Sequence, residues 1–393
     1  MQIIQVADRK TIKQFHETIR VIYSHDPNFV CPLDADIESI FNPDKNTFFN
    51  NGDACRWILK DDHGKLIGRV AAFYNWAKAN KYEQPTGGMG FFECIDNQEA
   101  AFLLFDTCKN WLEKAGLEAM DGPINFGENE SYWGLLVEGF DNPSYGMNYH
   151  LPYYKKFFEA YGFYNFFEQI TNKLDLTKKF PERFWKIADW IRQKPGFKYE
   201  NFSSANAEKY LKDVKEIYDQ AWVYHEHFTP LDLDVLRKEF KQAKHILDEE
   251  FIWFVYHDDK PVAFLVMLPD ANQLLKHFNG KMNLFDKLRF LNIKRKIKYT
   301  KARITVMGVI PRFQRYGIES AIFWHMDKMM QHKPSYKEVE LAWVGDFNPK
   351  MQALHAAVES TFSKRHITYR KLFKEGVGKR AGVIPADNRT KGS

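Results

Sequence analysis

Cysteine is scarce in this chain, with four in 393 residues. They stand at Cys31, Cys55, Cys94 and Cys108, all in the first third, and no two form a Cys-x-x-Cys pair. So few cysteines, so placed, are read as free thiols in a reducing cytoplasm. Long apolar runs are missing as well: nothing reaches the roughly 18 uninterrupted residues that a membrane-spanning helix needs. The opening MQIIQVADRKTIKQF has no apolar core behind a basic patch, so no secretory leader is expected. Charge of one sign is in small excess, +5 from 56 Lys and Arg against 51 Asp and Glu. Spread over this length, that is too thin to mark a nucleic-acid-binding protein. The expectation is a soluble, cytoplasmic protein with free thiols.

What the sequence has in quantity is aromatic side chains, 34 Phe and 19 Tyr among them, enough for large, well-filled cores. The length suits two domains of roughly 150–200 residues each. Two segments look alike, WILKDDHGKLIGRVAAF (57–73) and WFVYHDDKPVAFLVML (253–268). Each is an apolar run, an Asp-Asp turn and a second apolar run, which predicts a β-hairpin. Each is followed by a further strand, centred on 90–95 and 303–310, and then by a helix, QEAAFLLFDTCKNWLEKAG and IESAIFWHMDKMMQH. The repeated order predicts a duplicated domain.

The second copy reads clearly. Helical spacing runs from Ala207 to Trp222, and Thr229-Pro230 predicts the start of another helix, with hydroxyl cap and proline in the first turn. Strands follow at 251–257, 261–268 and 302–310, then helix 318–332, strand 338–344, helix 349–362 and strand 366–373. The fold class is therefore α/β, a mixed sheet with helices on its faces. The segment FPERFWKIADWIRQKPGF predicts a linking helix. The division expected is 1–176, a linker at 177–197, a second domain at 198–375, and a loose, Gly-, Lys- and Arg-rich tail at 376–393.

The segment that carries chemistry runs from Val309 through Gln314, Arg315, Tyr316, Gly317 and Ile318 into a helix. Consecutive main-chain N–H groups at a strand-to-helix junction form an anion site. Gly317 permits close approach, and Gln314 and Arg315 add donors. This stretch resembles the acetyl-CoA loop of GNAT acyltransferases, Gln/Arg-x-x-Gly-x-Gly/Ala, with Glu319 in place of the final small residue. A second GNAT pattern, Val-x-x-x-Asn-x-x-Ala-x-x-Leu-Tyr, is matched in part by Val344, Asn348, Met351, Leu354 and His355. The resemblance covers about 197–373. It implies acetyl-CoA or another acyl-CoA on Val309, Gln314, Arg315, Tyr316, Gly317, Ile318 and Asn348. It further implies His355 where the family has a tyrosine that protonates the leaving thiolate. Residues 153–163, YYKKFFEAYGF, resemble the matching helix in the first half, with Tyr154 (or Tyr153) at the tyrosine position. The first half has no phosphate loop: Glu93 to Glu99 is acidic and lacks glycine. The chain is thus expected to be a tandem GNAT-like protein with one eroded cofactor site.

In that chemistry an amine attacks a thioester directly, and the protein positions both and takes up a proton. Glu340 is a candidate base, and an exposed strand position is the alternative. His225 and His227, two apart, do not share a helical face, so no metal site is expected. MDGPINFGENESYWG (120–134) is read either as a pocket lining or as loop packing. The basic segment 276–303 is open to three readings: a solvated face, attraction of an anionic cofactor or substrate, and a membrane-surface or RNA patch. The function expected is acyl-CoA-dependent transfer, of acetyl for example, to a small-molecule or peptide amine. The alternatives are a non-catalytic GNAT-fold binding protein and an aminoacyl-tRNA-dependent transferase.

Overall fold

The computed structural model describes residues 1–223, 230–244, 246–314, 316–374, 376 and 378–382. His225, His227, Thr229 and Arg315, and the end of the tail from 383 on, lie outside the described residues.

The first half runs β1 (Gln2–Gln5), α1 (Arg9–Ile22), α2 (Asp34–Ile40), β2 (Gly52–Lys60), β3 (Leu66–Asn75), α3 (Trp76–Ala79), β4 (Thr86–Cys94), α4 (Gln98–Lys114), β5 (Ala119–Gly122), β6 (Leu135–Glu138), α5 (Tyr154–Tyr161) and β7 (Tyr164–Asp175). A connecting helix, α6 (Glu182–Arg192), leads to the second half. That half runs β8 (Phe197–Asn201), α7 (Ala207–Ala221), α8 (Leu233–Ala243), β9 (Ile252–His257), β10 (Lys260–Pro269), α9 (Asn272–Leu275), α10 (Leu284–Lys296), β11 (Lys301–Val309), α11 (Ile318–Gln331), β12 (Glu338–Glu340), β13 (Val344–Gly345), α12 (Pro349–Ala357) and β14 (Thr361–Leu372).

Both expected hairpins form, and their Asp-Asp turns close differently. Asp61 folds its carboxylate over the turn and accepts from the His63 and Lys65 amides at 3.0 and 2.8 Å. Asp258 and Asp259 instead both take left-handed backbone, φ 50° and 60°, and link Tyr256-His257 to Lys260-Pro261 in two residues. Two positive φ values match the right-handed twist of the strands they join. Thr229, the cap expected for α8, lies outside the described residues, and Pro230 precedes the helix. Helix α8 starts at Leu233, where the Asp232 carboxylate caps it by accepting from the Asp234 and Val235 amides. The strand expected at 338–344 is two short ones, β12 and β13.

All strands belong to one sheet, ordered β1-β2-β3-β4-β5-β14-β7-β12-β11-β10-β9-β8, with β6 beside β14 and β13 beside β7. The order crosses the halves. The last strand of the second half, β14, pairs with β5 of the first. The last strand of the first half, β7, pairs with β12 of the second. Between them β7 and β14 form a long antiparallel ladder, from Thr361 opposite Lys173 to Arg370 opposite Tyr164. The cores follow suit. Ile367 and Tyr369 of β14 complete the first-half core around Phe92, Phe105 and Phe158, and Leu174 of β7 joins the second-half core around Phe254, Phe264 and Ile322. Arg370 fixes the exchanged strand with a buried two-pronged pair to Asp121 of β5, at 2.6 and 2.7 Å. Its guanidinium also lies 3.6 Å from the ring centre of Phe166. All four cysteines are buried and unpaired. Among the described residues no helix is long and apolar enough to cross a membrane.

Candidate functional site

Strand β11 makes the site by losing a neighbour. It pairs in parallel with β12 only from Lys301 to Arg303. Past Glu340 the chain turns away: the Leu341 amide donates to Asn172 of β7 at 2.9 Å, and β13 continues on β7. From Ile304 to Val309, β11 is held by β10 on one edge, and among the described residues no strand covers the other. A wedge opens there, with the main-chain groups of 304–309 on one wall and 341–345 on the other. It leads into a cavity of about 1550 Å³. The far walls come from the first half, with Phe48, Tyr82, Trp133, Phe166 and Phe167 among them. The loop 120–134 therefore lines the cavity, through Glu128, Asn129, Glu130 and Trp133.

After Val309 the chain makes a single 3₁₀ turn (Pro311–Phe313) and enters α11 at Gly317. Gln314 steadies this loop: its amide donates to the Val309 carbonyl at 3.0 Å and its carbonyl accepts from Lys350. Gly317 sits at φ 77°, in the left-handed region that favours glycine, and a Cβ there would lie 2.6 Å from the Ile187 side chain of α6. Among the described residues no side chain of a preceding residue caps α11; its third amide, Ser320, turns back to the Gly317 carbonyl at 3.0 Å, which leaves the positive end of the helix dipole facing the groove. A groove of about 780 Å³ runs over this terminus, walled by Lys186, Ile187 and Trp190 of α6 and by Lys350, Met351 and Leu354. Groove and cavity share Gln314, Tyr316, Glu319, Lys350, Met351 and Leu354 and so adjoin. The connecting helix, read from sequence only as a link, is thus a wall of the site.

The sequence-expected residues divide. Gln314, Tyr316 and Gly317 converge on the groove, and Val309 on the cavity. Ile318 is fully buried in the core beneath. Asn348 and His355 line the cavity, but the side-chain carbonyl of Asn348 is taken up in capping α12, accepting from the Met351 amide at 3.2 Å. His355 is 6% exposed. Burial lowers its imidazole to about 4, and its Nδ1 is 3.1 Å from the Asn172 amide nitrogen. With Asn172 as donor the proton of the neutral ring is assigned to Nε2. Glu319, at the start of α11, is half-buried; burial raises its carboxyl, against the opposing pull of its own backbone N–H and, less, of Lys350.

Glu340 stands elsewhere. It is 1% exposed, with Lys301 at 2.9 Å and Arg303 at 3.5 Å. Burial alone raises a carboxyl, but these two cations hold Glu340 below its ordinary range. Tyr154 is buried in the first half, where its hydroxyl receives the Cys94 amide at 2.9 Å and donates to Glu93 at 3.1 Å. The first half has its own β4–β5 parallel pairing, from Thr86 to Gly88. The wedge beyond it is filled: the Ile124 amide donates to Met89 at 2.8 Å, and a Cβ on Gly90 would lie 1.8 Å from the Ile124 carbonyl.

One residue that sequence reasoning passed over is Glu130. Its side chain is open to the cavity yet surrounded by protein. That enclosure first, and the Glu128 carboxylate second, push its carboxyl up to about 7. Its only sequence signal was the Gly-Glu-Asn-Glu run itself. Among the described residues no cluster of ligands suits a metal ion.

Residues 211–358 match the acetyltransferase (GNAT) family model. The chain is 27% identical over 378 residues to a bacterial ceramide synthase of Caulobacter vibrioides, covering 94% of this chain and 97% of that one. It is 24% identical over 371 residues to protein YghO of Escherichia coli, covering 93% of each. Its fold is similar to a tandem GNAT protein from the clavulanic acid biosynthesis pathway, with TM-score 0.56 and 12% identity over 96% of this chain and 99% of that one. A GCN5-related N-acetyltransferase from Sphaerobacter thermophilus aligns at TM-score 0.52 and 10% identity, over 95% and 97%. The second half thus carries the segment that matches the GNAT family model, and the whole chain has the fold of tandem GNAT proteins.

Proposed function

We propose that this protein transfers a long acyl chain from acyl-CoA to the amine of a long-chain lipid base, giving an N-acyl amide. The observation that carries this is the cavity: about 1550 Å³, aromatic-walled, built from both halves and adjoining the groove over α11. An acetyl group and a small amine need far less. The likeness to a protein named a ceramide synthase supports the same reading, since a ceramide is an N-acylated long-chain amino alcohol.

The residues present fit an acyl-CoA. The uncapped start of α11, the loop from Gln314 through Arg315 and Tyr316 to Gly317, and Lys350 receive its phosphates. The open edge of β11 up to Val309 receives the amide-rich arm. Bound there, acyl-CoA supplies an acyl group activated as a thioester. The main-chain N–H groups of the wedge polarise the acyl carbonyl. Glu130 takes the proton from the attacking amine, with a carboxyl near the pH at which a general base works best. His355, neutral, offers its Nε2–H to the leaving sulfur, and Asn172 keeps it in that tautomer. Glu340 and Tyr154 hold the framework.

The test is direct. Purified protein is incubated with acyl-CoAs from acetyl to palmitoyl and with sphinganine, and N-acyl products are measured by mass spectrometry. Amide is expected with the long chains and little with acetyl. CoA at 100 times its dissociation constant should stabilise the fold by about 2.7 kcal/mol. No product with any chain, together with no thermal shift at saturating CoA, would remove the proposal.

A further inference from the structure

The basic insertion between β10 and β11 contains α10, a helix with two apolar faces. One is used: Phe290, Ile293 and Ile297 pack with Met282 on Ala271, Leu274, Leu275 and Phe278. The other faces solvent. Leu284, Phe285, Leu288 and Leu291 are 74%, 82%, 65% and 53% exposed. At 3.6 residues per turn, Leu284, Leu288 and Leu291 form one stripe, and Phe285 widens it. Single exposed leucines are ordinary on protein surfaces, but a contiguous stripe is not. The helix does not depend on a partner to form. Asn283 caps it in a reciprocal box with Asp286, and the inner face anchors it.

Charge surrounds the stripe. From 281 to 298 there are seven Lys and Arg and one acid, Asp286, whose carboxylate is engaged in the cap. Lys287 and Lys294 flank the stripe on one side and Arg289 and Lys296 on the other, and all four are exposed. Among the described residues no carboxylate pairs with any of them. Apolar side chains outward, cations along both flanks and low net hydrophobicity are shared with helices that lie in a membrane interface, and here the packed protein takes the place of the solvated opposite face.

We infer that α10 docks the protein on an anionic lipid bilayer, with Leu284, Phe285, Leu288 and Leu291 entering the acyl boundary and the flanking Lys and Arg on the headgroups. Other occupants fit less well. A second copy placed symmetrically on this face would bring the same basic flanks together. A nucleic acid would use the cations and leave the apolar stripe in water. The inference goes beyond acyl transfer and is tested without it.

The full-length protein is floated with vesicles of phosphatidylcholine alone and of equimolar phosphatidylcholine and phosphatidylglycerol. Binding is expected to the second, weakening as salt rises. The double variant Phe285→Glu, Leu288→Glu should lose about tenfold or more in partition, and Lys287→Glu, Lys294→Glu should lose affinity for anionic vesicles only. The changed side chains are exposed, so circular dichroism should be unaltered. In Leu288→Trp, the fluorescence added over wild type should shift to the blue on vesicles. The inference is overturned by wild type that ignores anionic vesicles, by a Glu variant that binds as wild type does, or by a Leu288→Trp emission that vesicles leave unshifted. It is overturned equally by a dimer that the Glu variant disperses, or by salt-sensitive binding of RNA with none of vesicles.

Discussion

The pair between Asp121 and Arg370 is where the exchanged strand can be tested hardest. Both side chains are nearly out of water, at 5% and 6% exposure, and two short hydrogen bonds join them. Removing one partner of such a pair leaves a charge buried without its counter-ion, which costs about 3–5 kcal/mol. Asp121→Asn keeps the shape and one acceptor, so about 3 kcal/mol is expected. Asp121→Leu keeps neither, and about 5 kcal/mol is expected. Arg370→Met retains an unbranched chain against Phe166, whose ring lies 3.6 Å from the guanidinium carbon. The double variant Asp121→Leu, Arg370→Met replaces the pair with apolar groups and should recover several kcal/mol relative to Asp121→Leu alone. Urea unfolding, followed by both circular dichroism and tryptophan fluorescence, gives the four free energies of the cycle. An Asp121→Asn protein within about 0.5 kcal/mol of wild type, or strictly additive effects in the cycle, would refute the claim that this pair ties β14 to β5.

Two further outcomes are expected. Because Glu130 works deprotonated and its carboxyl lies at about 7, kcat/KM for acyl transfer should rise with pH through that value and then level. Glu130→Gln should flatten the rise and lower kcat/KM about 100-fold at the plateau; a variant with the wild-type profile would take Glu130 out of the chemistry. His366 is fully buried, and burial lowers its imidazole to about 4. The unfolded chain binds that proton near pH 6.5 while the folded chain does not until about 4, so this group's contribution to stability is lost as pH falls between those values. The stability difference between wild type and His366→Gln should accordingly shrink by about 2 kcal/mol from pH 7 to pH 5. Urea midpoints of the two proteins at both pH values measure this, and a constant difference would mean that the imidazole titrates in the fold as it does in the unfolded chain.

What the sequence disclosed was local. The hairpins, α7, α11 and the loop at Gln314–Gly317 announce themselves through turn residues, helical spacing and one glycine that must take left-handed backbone. What it hid depends on distance along the chain. Arg370 and Asp121 are 249 residues apart, and nothing in the composition of β14 says that its neighbours will be β5 and β7. The wall of the groove that α6 supplies was hidden for the same reason: Lys186, Ile187 and Trp190 acquire meaning only when that helix lies across α11. Glu340 illustrates a different blindness. A lone carboxylate on a strand looks available until Lys301 and Arg303 are found beside it. In the basic segment 276–303 the apolar residues Phe285, Leu288 and Leu291 face outward and Met282 inward, and a hydropathy pattern cannot tell an outward face from an inward one when the helix has both.

The crossing of β7 and β14 bears on how the protein is made. A ribosome releases the first half long before β14 exists. Until then β5 waits with an open edge, and the core around Phe92 and Phe158 lacks Ile367 and Tyr369. An unpaired strand edge beside an unfinished core invites the wrong partner, including another nascent chain. Synthesis must therefore reach residue 372 before either half is complete, and the closing ladder joins segments of very high sequence separation, which slows folding. Chains cut short before β14 should be cleared or aggregate rather than persist as a half-sized domain, and a cell making this protein depends on whatever shields nascent strands for nearly the whole length of translation.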